Sequence, residues 1–178
     1  PVAEDGTDCR NYGGLDGIPE AKRLMASMLE VDPANVFVGS GSSLNLMHDL
    51  TGFCFLHPLP GCEKPWCAQG KVKFLCPSPG YDRHFAVSGH FGVELVAVPM
   101  PAEGPDMDVV EALVATDASI QGKWCVPNCS NPTGVHFSDA TVRPLAALTP
   151  AAPYFPRLLG TASSLHNLYA HRPEQQVP

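Results

Sequence analysis

Short apolar runs alternating with helix-length periodic segments are the feature that most constrains this chain. Val72 to Cys76, Glu94 to Val98 and Lys123 to Val126 read as strands. Between them, Asp82 to Phe91 reads as a helix, and so does Asp106 to Ala115, which carries acidic residues in its first turns. A strand joined to the next strand through a helix makes a right-handed crossover, and successive crossovers build a mostly parallel sheet with helices packed on it. The expected fold class is therefore α/β, a three-layer sandwich around that sheet.

The flanking segments follow the same logic. Ile18 to Leu29 repeats apolar residues at Leu24, Met25, Met28 and Leu29, with Pro19 in the first turn, where a helix tolerates it. Val36-Phe37-Val38 predicts a short strand, which ends at Gly39-Ser40-Gly41-Ser42-Ser43. Leu44, Leu46, Met47 and Leu50 then predict a second helix. Thr51 to Gly70, with Pro58, Pro60 and Pro65, predicts a loop, and Ser138 predicts the cap of a helix reaching about Leu148.

Composition narrows the function classes. The chain has 178 residues, 44% of them hydrophobic and 16% charged, enough for one domain with a core. A formal charge of −7, with 11 Lys+Arg and no basic run, argues against a nucleic-acid groove or an anionic membrane surface as the main partner. An acidic chain can still hold a small anion in a locally electropositive site. No apolar stretch approaches a membrane span, and no leader is recognisable, so the expected location is the cytoplasm. The seven cysteines are expected to be reduced thiols. Cys62 and Cys67 stand farther apart than the usual paired-thiolate turn, so no metal is expected. His84 and His90 are expected to be partly exposed. Both ends of the chain, Pro1 and Pro178, look cut.

Ligands of open parallel sheets bind in the loops that follow the carboxyl ends of the strands. Three such loops carry polar or small residues: Gly39 to Ser43, Pro77 to Tyr81, and Asn128 to Gly134. In the first, backbone N–H groups, Ser hydroxyls and a helix N-terminus suit a phosphate, although a serine N-cap explains the same residues. Tyr81 offers a ring for stacking, or simply packs on a neighbouring loop. Asn131 offers an amide to a ligand oxygen, or bonds its own turn.

The order of these signals, ending in Ser130-Asn131-Pro132-Thr133-Gly134, resembles the class I aminotransferases of fold type I, which depend on pyridoxal 5'-phosphate. Asn11-Tyr12-Gly13-Gly14-Leu15-Asp16-Gly17-Ile18-Pro19-Glu20 is similar to the segment of aspartate aminotransferases whose Tyr reaches the cofactor phosphate of the partner subunit. The resemblance implies that role for Tyr12, phosphate binding for Gly41, Ser42 and Ser43, ring stacking for Tyr81, and a bond to the pyridine 3-oxygen for Asn131. It further implies an amino acid and a 2-oxo acid as substrates, possible aspartate specificity and a homodimer for the full-length relative. The family-like region runs from about Cys9 to Leu148, leaving an irregular tail at 149–178, and the whole reads as part of the large domain.

The same resemblance marks departures. The family's Schiff-base lysine lies well after Asn-Pro-Thr-Gly, whereas Lys22, Lys64, Lys71, Lys73 and Lys123 all precede it. An Asp that partners the ring nitrogen would follow the next strand. Here Leu158-Leu159 runs into Gly160-Thr161-Ala162-Ser163-Ser164, before a familiar-looking Leu165-His166-Asn167-Leu168-Tyr169 resumes, which suggests a disrupted reading frame or a decayed copy. The family's substrate-carboxylate arginine is also missing. No catalytic residue is therefore assigned. The expectation is an incomplete aminotransferase chain, inactive by itself, with a non-catalytic relic or small-ligand-binding α/β domain as the alternative.

Overall fold

The structure, a computed structural model, describes residues 1–11, 14–39 and 42–152, and the backbone of 157–159. These fall into two compact units, one comprising Pro1–Ser42 and the other beginning at Ser43.

The first unit is built on helix α1, Pro19–Leu29. Its N-terminal hairpin-like turn is held to that helix by the Glu4–Arg23 ion pair and by the Glu4 N–H, which donates to Glu20 Oε1 at 2.7 Å. Gly17, at φ +99°, lies where an added Cβ would come within 2.6 Å of Val38 Cβ, so the chain crosses Val38 at a distance only glycine permits. Val36 to Val38 is extended but is not a strand. The Val38 N–H donates to the Asp16 carbonyl at 2.9 Å, and no ladder forms beside it among the described residues. The sequence expectation of a strand there is corrected on that ground.

The second unit contains a four-stranded, wholly parallel sheet in the order β2-β1-β3-β4. The strands are β1 (Lys73–Ser78), β2 (Glu94–Pro99), β3 (Ile120–Cys125) and β4 (Arg157–Leu159). The helices are α2 (Ser43–Leu56), α3 (Asp82–His90), α4 (Met107–Thr116) and α5 (Asp139–Ala147). Central β1 and β3 are buried on both faces, which is why they read as near-continuous apolar runs.

Alternation along these strands divides the core in two. Phe74, Cys76 and Trp124 join Cys54 of α2, Trp66, Val72 and Val93 on one face. Leu75 and Cys125 join Val110 and Val114 of α4 and Leu145 of α5 on the other. The three-layer α/β sandwich is thus present. Connection hands explain which helix lies where. The path β1–α3–β2 runs toward one edge, while β2–α4–β3 and β3–α5–β4 run toward the other, so right-handed crossovers put α3 opposite α4 and α5.

One helix is longer than its sequence suggests. Thr51 and Gly52 look like the start of a loop, yet α2 continues to Leu56. Thr51 is fully buried, its hydroxyl donates to the Met47 carbonyl one turn back at 2.7 Å, and Cys54 enters the core. Burial of that turn outweighs the weak helix preference of Thr and Gly. No helix among the described residues is long and apolar enough to cross a membrane.

Candidate functional site

The strand order creates a switch point between β1 and β3. The chain leaves β1 toward β2 on one side and leaves β3 toward β4 on the other, so the loops after these neighbouring strands part and open a crevice at their carboxyl ends. Tyr81 lies three residues beyond the end of β1, and Asn131 six beyond the end of β3.

Tyr81 is the N-cap residue of α3 and is half-buried. Its ring meets His84 edge to face, with centroids 5.0 Å apart and planes at 88°. His84 in turn stacks on Trp124 of β3, with centroids 4.9 Å apart and planes at 22°. The Trp124 indole N–H donates to Ser88 Oγ at 2.6 Å. His84 and Ser88 are one helical turn apart on α3, so this helix grips one indole at two points. His84 is only 4% exposed, contrary to the expectation of a partly exposed histidine, while His90 is exposed. Burial lowers the His84 pKa from its ordinary value and favours the neutral ring.

The turn carrying Asn131 is a closed loop. The Ser130 N–H donates to the Val135 carbonyl at 2.9 Å, and the Phe137 N–H to the Pro127 carbonyl at 2.8 Å. Gly134, at φ +73°, completes the tip, which is exposed from Asn131 to Gly134. The peptide bonds Asn131–Pro132 and Ser78–Pro79 are cis. The Asn131 amide is taken up by no hydrogen bond among the described residues, so it is open to a ligand. Beside it, Cys129 Sγ lies 3.5 Å from His136 Nε2.

Below Tyr81 is a cavity of about 20 Å³, lined by Tyr81, His84, Trp124 and Ser130 among others. That is room for about one water molecule and far too little for an aromatic ligand. Asn131, next to Ser130, is not among the residues lining the cavity, and neither is Ser43.

Ser43 is the first residue of α2, where helix N–H groups lack intrahelical partners, and Ser42 closes the first unit. Tyr12 and Gly41 lie outside the described residues, as does Gly160 to Tyr169. The residues present suit a phosphorylated pyridine by type: an aromatic face, an open amide and serines at a helix start. Sequence reasoning missed His84 and Trp124. The available signal was the i, i+4 pair His84 and Ser88 on a helix next to a strand bearing a Trp, but nothing local assigns their partner.

The aspartate amino-transferase family profile matches residues 1–177. The aspartate aminotransferase of Corynebacterium glutamicum is 42% identical over 172 residues, which are 97% of this chain and 40% of that protein. A solved aspartate transaminase from Corynebacterium glutamicum superposes with a TM-score of 0.83 at 43% identity, covering 89% of this chain and 37% of the other. LysN, the α-aminoadipate aminotransferase of Thermus thermophilus, superposes with a TM-score of 0.64 at 19% identity, over 81% of this chain and 33% of its own, a likeness of fold alone. The chain spans about two fifths of the length of the curated relatives it matches. With the family profile running along nearly all of it and relatives this similar, the chain belongs to the aspartate aminotransferase family.

Proposed function

We propose that this chain supplies the cofactor cradle of a pyridoxal-phosphate-dependent aminotransferase. Tyr81 gives the ring a stacking face, and the Asn131 amide donates to the pyridine 3-oxygen. Gly41, Ser42, Ser43 and the start of α2 hold the phosphate, and Tyr12 reaches toward the phosphate of a partner subunit. When bound, the cofactor supplies an electron sink for chemistry at the amino acid Cα. This chain's residues bind and orient it. Substrates of the whole enzyme are an amino acid and a 2-oxo acid, with aspartate as the donor suggested by the relatives' names. It works in the cytoplasm, where cysteines stay reduced. Exposed Leu46, Leu50 and Phe53 form an apolar stripe on α2, which supports burial of that helix against a second copy in a homodimer.

The observation that carries this reading is the departure of the Tyr81 and Asn131 loops from adjacent parallel strands at the switch point. The test is binding of pyridoxamine 5'-phosphate, whose amine cannot condense with a lysine, to the 178-residue chain by calorimetry. Binding is expected, with Asn131→Ala weakening it about tenfold for the loss of one ligand hydrogen bond. No binding, or equal binding by the variant, overturns the reading.

A further inference from the structure

We infer that His84 is a positioning residue: clamped between Trp124 and Tyr81, its ring sets the plane that Tyr81 offers to a ligand at the β1–β3 switch point. The clamp is built from both sides of the fold. Trp124 comes from β3 and is 2% exposed, so the indole is a fixed wall. Its N–H is tied to Ser88 Oγ at 2.6 Å, which fixes the rotation of the indole plane. His84 lies nearly flat on that plane at 22°, and Tyr81 stands almost perpendicular to His84 at 88°. Offset-stacked and edge-to-face pairs are the favoured aromatic geometries, so each ring constrains the next.

Tyr81, His84 and Trp124 line one cleft with space for about one water, so the three rings meet around the same small opening. Within the described residues the His84 ring is held by these two contacts, one nearly flat on Trp124 and one perpendicular to Tyr81. The neutral imidazole that burial favours suits this use, since no charge is left unpaired between the two aromatic rings.

That the Tyr81 ring receives the cofactor rests on the function proposed above; that His84 sets the ring does not. The test therefore has two arms on the 178-residue chain. In the first, the chain's four tyrosines are ring-labelled for NMR, and Tyr81→Phe identifies the Tyr81 signal. His84→Ala is expected to displace the Tyr81 ring resonances and leave the other tyrosines in place, while His84→Phe, which keeps a flat ring and is the safer variant for folding, retains an ordered Tyr81. Unmoved Tyr81 resonances in His84→Ala overturn the inference.

In the second arm, pyridoxamine 5'-phosphate affinity is measured across a double-mutant cycle. His84→Ala is expected to weaken binding about fivefold, the worth of one aromatic pair. His84→Phe should restore most of that loss. In a Tyr81→Ala background the same His84→Ala change should alter nothing, because its effect passes through the ring already removed. An undiminished fivefold loss in that background overturns the inference. Failure of the unsubstituted chain to bind pyridoxamine 5'-phosphate would instead overturn the proposed function, and the positioning of Tyr81 would then stand or fall on its resonances.

Discussion

The Trp124 indole N–H donates to Ser88 Oγ at 2.6 Å, a side-chain hydrogen bond between β3 and α3 that is buried at both ends. Removing one partner of a buried pair leaves the other to carry its full desolvation cost, whereas removing both does not. Ser88→Ala is therefore expected to destabilise the chain by about 1–3 kcal/mol in urea unfolding. In a Trp124→Phe background the same change should cost less than about 0.5 kcal/mol, since no indole N–H remains to be orphaned. Equal costs in the two backgrounds would show that the bond contributes nothing.

Gly80 is expected to tolerate no side chain. A Cβ there would lie 2.5 Å from the Pro77 carbonyl oxygen and 2.8 Å from Phe85 Cζ. The first contact is with backbone and cannot be relieved by a rotamer change. Gly80→Ala should lower stability by about 1–3 kcal/mol, the usual cost of overpacking. Because the shifted turn carries Tyr81, pyridoxamine 5'-phosphate affinity should fall with it. An unchanged thermal midpoint would contradict this.

Asp117 gives the chain an acid-sensitive contact. It pairs with Lys73 Nζ at 2.8 Å and accepts bonds from the Ser119 N–H at 2.9 Å and Ser119 Oγ at 2.5 Å. The bond from Lys73, followed by those from Ser119, pulls its pKa from 3.8 down to about 2. A pKa depressed by folding stabilises the folded state above the unfolded value, and that stabilisation is lost as pH falls from about 4 through about 2. The Lys73 and Asp117 side chains are 24% and 33% exposed, so solvent screens much of the pair. Asp117→Asn should cost about 1 kcal/mol at neutral pH, and the gap to the unsubstituted chain should narrow by pH 2. A gap independent of pH would refute this account.

The purified chain is expected to show no transaminase turnover with aspartate and 2-oxoglutarate. Borohydride should trap no cofactor specifically on Lys22, Lys64, Lys71, Lys73 or Lys123. Lys123 is the lysine nearest the switch point, yet it is 1% exposed within the central strand β3, so a cofactor cannot reach it without opening the sheet. Turnover that follows the chain through purification and vanishes with Asn131→Ala would contradict this expectation. A specific adduct on Lys123 would do so too.

The sequence by itself determined the alternation of elements, and with it the α/β class. Runs such as Phe74-Leu75-Cys76 and the i, i+4 repeats of the helices act over a few residues, where backbone preference and burial on one or two faces leave a local record. It also determined where a turn must follow the strand, because Asn128 to Gly134 breaks an apolar run in a way that a turn at a strand end accommodates. Local signals failed where distant packing overruled them. Thr51 continues a helix because its turn is buried, and Val36 to Val38, though β-prone, has no ladder to join among the described residues.

Only the tertiary structure decided what surrounds the candidate site. His84 is buried because Trp124, forty residues later in the chain, comes from the neighbouring strand and lies against it. That neighbour relation follows from the order β2-β1-β3-β4, which the three-dimensional path of the crossovers sets. No window of sequence around His84 contains the indole that turns an ordinary helical histidine into the support beneath Tyr81.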